Sequence, residues 1–528
     1  MRLFNIKWNL VLILIILLVT LSKISLVGKG FLAFPDEMRY QASLNALNSF
    51  LENDFKSAIK FLTSTDSRPV DVLVKLIPCS IQLLTSKIFN IDYFDPLNSV
   101  PVFVFNYLCF IFLILIHYKV SRFLLENEYL SLFSVLLFVC LTTSHIYIRH
   151  ALPYDESLFL FYFAIYLLIK KYRQKSLSLT ASFFIGVLSF VAYLVYPGYF
   201  TSYFVLLLFF TYISYVITIE KRCFVLKLIL FILGGIVVLS LFELLYRFVG
   251  RSFLVDSIIL SQKITQGSFE ESYLFIFKYL YHTEKYAGIV IIISIISMPF
   301  TLLIIYKKKQ IKENHIIIIL TLIVYLAYLS YATLGYCMHK MVFYGRLIHQ
   351  YYPYICIFLV FIVKVVFGIN KNSKIFITLL AVLFIVNYSE RLKSYYNITY
   401  PRDISWLSIK KYASNNVSYY SEYEKSWTET PILLPPFHID TSKSRLYRLV
   451  IVNSYYPWPI DDLAFYRQFI PAKDQKKIFE LPHFLNYKPY QFEGFRIGER
   501  EKLDKLDLKL KVYITVDYLS KKIKSSRK

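Results

Sequence analysis

Long apolar runs, each about as long as a bilayer crossing requires and joined by short polar connections, dominate residues 8–390. Hydropathy predicts about eleven spans, at 8–28, 99–118, 127–147, 154–170, 177–196, 198–219, 224–245, 287–306, 315–335, 347–368 and 374–390. Residues 29–98 have a different pattern. Leu44, Leu47 and Leu51 recur at helical spacing between polar residues, which predicts an amphipathic helix over 37–53 lying along the membrane surface. Residues 70–90 are apolar, but Asp71, Lys75, Pro78 and Lys87 interrupt them, favouring a re-entrant or interfacial helix over a further span. Beyond 390 the pattern changes again. Pro401, Pro431, Pro435, Pro436, Pro457 and Pro459 separate strand-like runs at 431–434, 449–452 and 512–516, and a small mixed α/β domain over 391–528 is expected.

Composition turns this pattern into a class. The 528 residues are 57% hydrophobic and 18% aromatic, more apolar surface than a soluble fold can hide, so an all-α polytopic membrane domain over 1–390 is expected. The net charge of +24, from 59 Lys and Arg against 35 Asp and Glu, is scattered through hydrophobic sequence, which argues against nucleic acid as a partner. With the N-terminus cytoplasmic, each inside connection is basic: Lys119 and Arg122; Lys170, Lys171, Arg173 and Lys175; Lys221 and Arg222; Lys307, Lys308, Lys309 and Lys312; Lys371 and Lys374. The first loop (29–98), the turns at 148–154 and 336–346, the loop at 246–286 and the C-terminal region then lie outside. The first apolar run reads as an uncleaved helix, and the six cysteines, with no CxxC pair, as small buried hydrophobes.

Two acidic pairs stand out on that outer face. Asp36-Glu37 follows the first span and Asp155-Glu156 opens the fourth. Carboxylates beside a bilayer are costly unless they meet water or a polar site. Each pair follows a proline at a helix start, so N-capping is the competing explanation. Outer-face cations weigh against it. Arg68, Arg149 and Arg346, with His145, His150, His339, Lys340 and His349 nearby, run against the positive-inside trend and need a local reason, such as binding an anion. Lipid headgroups would explain any one of them alone. Together they suggest a carboxylate that deprotonates a nucleophile while arginines hold a phosphate leaving group. No P-loop, GxGxxG, HExxH or GxSxG occurs.

These pieces, in order, resemble the GT-C superfamily of polytopic glycosyltransferases, in the branch of the protein O-mannosyltransferases and the lipid A aminoarabinose transferase. Asp36-Glu37-Met38-Arg39-Tyr40 resembles that family's Asp-Glu-x-x-Tyr segment, and Ser67-Arg68-Pro69 its basic-Pro segment. Arg149 to Asp155 resembles its second acidic motif, and Arg346 to Pro353 its late Arg…Pro segment. The resemblance covers about residues 1–390. It implies inverting transfer of a sugar from a polyprenyl-phosphate donor to a lipid, glycan or protein acceptor on the extracytoplasmic face of a membrane, with a bacterial inner membrane expected. Asp36 matches the general base and Asp155 the second acid, with Glu37 and Glu156 supporting them. Arg68, Arg346 and Arg149 are the candidates for the donor phosphate. His339, Lys340, His349 and Glu243 are candidates to line the cavity, although Glu243 can equally pair with Arg247 one turn on. Some relatives use a divalent metal; no metal-ligand spacing is visible in this chain, and the metal question stays open. A lipid-linked glycan flippase and a non-catalytic partner in envelope assembly are the alternative readings.

Overall fold

The computed structural model describes residues 2–30, 37, 39–64, 68–89, 99–264, 271–340, 344–368 and 371–398, together with 417–422, 445–452, 473, 475–482, 486–505 and 509–516. Sixteen helices build the first part: α1 (Arg2–Ser22), α2 (Tyr40–Leu51), α3 (Phe55–Leu62), α4 (Pro69–Phe89), α5 (Val100–Leu125), α6 (Glu128–Val139), α7 (Thr143–Arg149), α8 (Tyr154–Arg173), α9 (Leu179–Val195), α10 (Phe200–Ile217), α11 (Lys221–Arg247), α12 (Phe253–Ile264), α13 (Phe275–Lys307), α14 (Ile311–Tyr336), α15 (Tyr352–Phe367) and α16 (Lys371–Tyr396). Among the described residues, nine helices are long and apolar enough to cross a membrane. The chain is an all-α, multi-pass membrane protein over this part.

α15 is buried along most of its length and packs against α6, α13, α14 and α16. Peripheral helices turn large apolar side chains outward, as α11 does with Ile229, Ile232 and Leu241. Lipid is as apolar as these side chains, so helices must associate through close packing and polar contacts. α9 and α11 show the first device. A Cβ on Gly186 would sit 2.0 Å from the Phe231 carbonyl oxygen, and one on Gly234 would sit 2.4 Å from that of Phe183.

One expectation changes here. The span expected at 127–147 is interrupted. α6 has only 12 residues, a rise of about 18 Å, and α7 is a separate short helix. The break is clamped by Glu284 of α13, which accepts the amides of Thr142 (2.8 Å) and Thr143 (3.2 Å) and both threonine hydroxyls. α4, for its part, is long and apolar enough to cross a membrane, yet both its halves pack at one end of the bundle. Val70 clusters with Leu194 and Val195 at the end of α9. Cys79 and Leu83, up to about 20 Å further along, cluster with Val102 and Phe103 at the start of α5 and with Ala151. α4 therefore lies across the bundle end that carries His150.

In the C-terminal region, β1 (Val417–Glu422), β2 (Arg445–Val452), β3 (Gln475–Pro482) and β4 (Lys509–Val516) pair in the order β1-β2-β4-β3, with β1 and β2 parallel and the other pairs antiparallel. The run at 431–434 lies outside the described residues. Between β3 and β4 come α17 (Lys488–Gly494) and α18 (Ile497–Asp504). These two helices dock on the transmembrane bundle: Tyr490, Phe492, Phe495 and Leu503 belong to its main apolar core. A boundary at 390 therefore divides what the packing joins, since α16 runs on to Tyr396 and residues 488–504 pack with the bundle.

Candidate functional site

The connections between transmembrane helices at the His150 end place the polar residues. α7 ends at Arg149, and the link to α8 turns through His150, Ala151, Leu152 and Pro153. Glu37, fully buried, reaches across to this link. Its Oε1 accepts the Ala151 amide at 2.8 Å and its Oε2 lies 3.2 Å from His150 Nδ1. Gly28 and Gly30 bond the carbonyls of Ile148 and Arg149. Glu37 thus ties the start of the first loop to the α7–α8 link; the helix that follows begins at Tyr40, with Arg39 at its N-cap position. Asp36, the expected base, lies outside the described residues.

Asp155 stands in the first turn of α8, where the helix dipole favours a negative charge. Its Oδ1 is 3.0 Å from His349 Nε2, and both side chains are buried. A buried carboxylate needs such a partner. Glu156 faces away from this pair. It meets Lys75 Nζ at 3.3 Å, and Lys75 also holds Asp71 at 2.6 Å, so α4 is joined to α8 by a buried three-charge network.

A narrow cavity of about 30 Å³, room for one or two waters, opens beside these groups. Its wall is formed by Ile146, Tyr147, Leu152, Tyr154, Arg346, Glu493 and Gly494. Arg346 is therefore the expected phosphate ligand that lines the cavity; its guanidinium also lies 4.4 Å from the centre of the Tyr344 ring. Arg68 is two rings away: it stacks on Tyr196 at 5.2 Å, and Tyr196 contacts Tyr154 at 4.6 Å. His349 lies behind the wall, its ring 4.5 Å from that of Tyr147.

Other expected residues are elsewhere. Arg149 is fully buried, and its guanidinium donates to the main-chain carbonyls of Tyr395 and Ile398. That places it as a clamp on the end of α16, turned from the cavity. Glu243 pairs with Arg247 at 2.8 Å and accepts the Leu254 amide at 3.1 Å and the Ser252 hydroxyl at 3.2 Å. It caps α12 and lines no part of the cavity. His339 and Lys340 are exposed in the turn after α14.

Glu493 is the site residue that sequence reasoning misses. It is 3% exposed, with Oε2 3.1 Å from the Tyr147 hydroxyl and Oε1 accepting from Tyr279. Burial pushes its carboxyl up to about 8, and the nearby Glu284 adds to that. The rise prevails over the two tyrosine hydrogen bonds and Arg346, which act in the other direction. The one signal was local: aromatic residues flank it in Tyr490-Gln491-Phe492-Glu493-Gly494-Phe495. Gly345 makes this docking possible, because a Cβ there would lie 2.2 Å from the Phe492 carbonyl oxygen.

Among the described residues, no group of three or more His, Cys, Asp or Glu is arranged to hold a metal ion. Comparison with protein-family models, with curated proteins and with solved structures finds no match in any of the three.

Proposed function

We propose that this chain is a membrane glycosyltransferase that takes a sugar from a polyprenyl-phosphate donor and passes it, with inversion, to an envelope lipid, glycan or protein. The reading rests first on the order and spacing of the four sequence motifs. One structural observation supports it most: residues from all four motifs gather at one end of the bundle. Glu37 bonds Ala151, Arg346 lines the cavity beside Tyr154, Arg68 stacks on Tyr196, which contacts Tyr154, and Asp155 binds His349 behind the wall.

In this reading Arg346, with Arg68, neutralises the donor phosphate as the bond between the anomeric carbon and the phosphate oxygen breaks. Asp36 takes the proton of the attacking acceptor hydroxyl, whose oxygen forms the new bond to that carbon. Asp155 and His349 hold the aromatic wall through Tyr147. The His150 end faces the extracytoplasmic side of a bacterial inner membrane, with the N-terminus cytoplasmic. α4 lying across that end leaves the alternation of basic inside connections intact. The paired strands of 417–516 form a small α/β unit on the same side.

The test is Asp36→Asn. Purified full-length protein in lipid nanodiscs, given a panel of undecaprenyl-phosphate sugars and envelope extract, is expected to lose transfer by at least about 10³-fold, with its melting temperature unchanged. Near-normal transfer by this variant removes Asp36 as the base.

A further inference from the structure

We propose that Glu493 is an acid of the phosphate site, presenting a neutral carboxyl that donates a hydrogen bond to the lipid phosphate held by Arg346. This rests on the lipid-phosphate reading and adds to it a residue from the C-terminal segment. The geometry places it. Glu493 and Arg346 share the wall of one small cavity, which takes only a water or two, so a phosphate meets them at its mouth. The carboxyl is held from two helices, by Tyr147 of α7 and Tyr279 of α13, so it is fixed in direction. α17 itself is pinned on both sides of it, Tyr490 to His150 Nε2 at 3.3 Å and Phe492 stacked on His282 at 4.5 Å.

The charged groups facing Glu493 are Arg346, from the turn before α15, and Glu284 of α13. The other titratable neighbours are the Tyr147 and Tyr279 hydroxyls, uncharged until about pH 10, and three histidines one contact away, His349 on Tyr147, His282 on Phe492 and His150 on Tyr490. A carboxylate in this wall would repel a phosphate. A carboxyl donates to it, as an arginine does, without adding charge. With its proton kept up to about pH 8, the group is in the donating form at neutral pH.

The experiment is binding of undecaprenyl phosphate to full-length protein in phosphatidylcholine nanodiscs, from about pH 6.5 to about pH 9.5, for the wild type and Glu493→Gln. The wild type is expected to lose affinity as pH rises through about 8, approaching tenfold per pH unit above it. Glu493→Gln, which keeps a donor at every pH, is expected to hold its affinity. The second ionisation of the phosphate strengthens its pairing with Arg346, so it cannot imitate the loss. Tight binding with coincident curves overturns the role of Glu493 and leaves the lipid-phosphate reading standing. No binding by the wild type at any pH overturns both. A wild-type curve that stays flat above about pH 8 overturns the proposal even if the variant fails to fold.

Discussion

The first loop and the C-terminal segment meet on one histidine: Glu37 lies on His150 Nδ1 and Tyr490 on its Nε2. Otherwise they reach the same end of the bundle by different means. The first loop is held by buried charge, through Lys75 to Asp71 and Glu156 and through Glu37 to the Ala151 amide. The C-terminal segment is held mainly by aromatic packing, with Phe492 on His282 and Tyr490 against Tyr395, supported by Arg500 on Glu271. Buried ion pairs recover little more than their desolvation cost but penalise any displaced arrangement. Aromatic burial stabilises directly and tolerates small shifts. The contrast assigns the loop a positioning role and the segment an anchoring one, and each role can be broken separately.

The largest effect is expected in the loop. Lys75→Met removes the one cation shared by Asp71 and Glu156, leaving two buried carboxylates without it. The expected cost is about 3–5 kcal/mol, seen as a lower midpoint in thermal unfolding of the detergent-solubilised protein. Replacing all three residues with apolar ones of similar size should recover most of it. If Lys75→Met melts like the wild type, the loop is not held by charge and the contrast with the C-terminal segment fails.

That loop was also the more legible region. Leu44 at helical spacing and the charges interrupting 70–90 predict an interfacial arrangement, and the structure lays α4 across the bundle end. These signals are local, between residues a turn or two apart. What escaped was set by distant partners. The break between α6 and α7 depends on Glu284, more than 130 residues later in the chain. Arg149 reads as a phosphate ligand from its place in a short outer turn, and only the arrival of α16 reveals that it bonds main-chain carbonyls. Glu493 sits in a region with no hydropathy pattern, and its relation to Arg346 exists only once α17 is docked. For Glu243, sequence reasoning named both roles, and the contact with Arg247 decides between them.

A smaller effect is expected where the C-terminal segment docks. Gly345→Ala places a methyl against the Phe492 carbonyl and the Tyr279 ring, both closer than 3 Å. Overpacking of this kind costs about 1–3 kcal/mol, and moving α17 relieves it. A cysteine introduced in place of buried Tyr490 should then react with a water-soluble maleimide faster in the Gly345→Ala background than in its absence. Equal rates would mean that α17 does not depend on close approach at Gly345, and that its anchoring lies in the ring contacts alone.

The smallest effect tests the rim of the loop. Glu243 caps α12, and the connection it organises carries Arg251, which donates to the Thr63 carbonyl at 2.7 Å and pairs with Asp256 at 2.6 Å. Glu243→Ala is expected to lower the midpoint of thermal unfolding only slightly, less than either change above, as loss of a cap at a partly exposed helix start does. It should leave undecaprenyl phosphate binding unchanged, because the side chain is turned to α12 and away from the cavity wall. A loss of lipid-phosphate affinity at unchanged stability would place Glu243 in the site after all. It would also show that the rim, in addition to Lys75, positions the first loop.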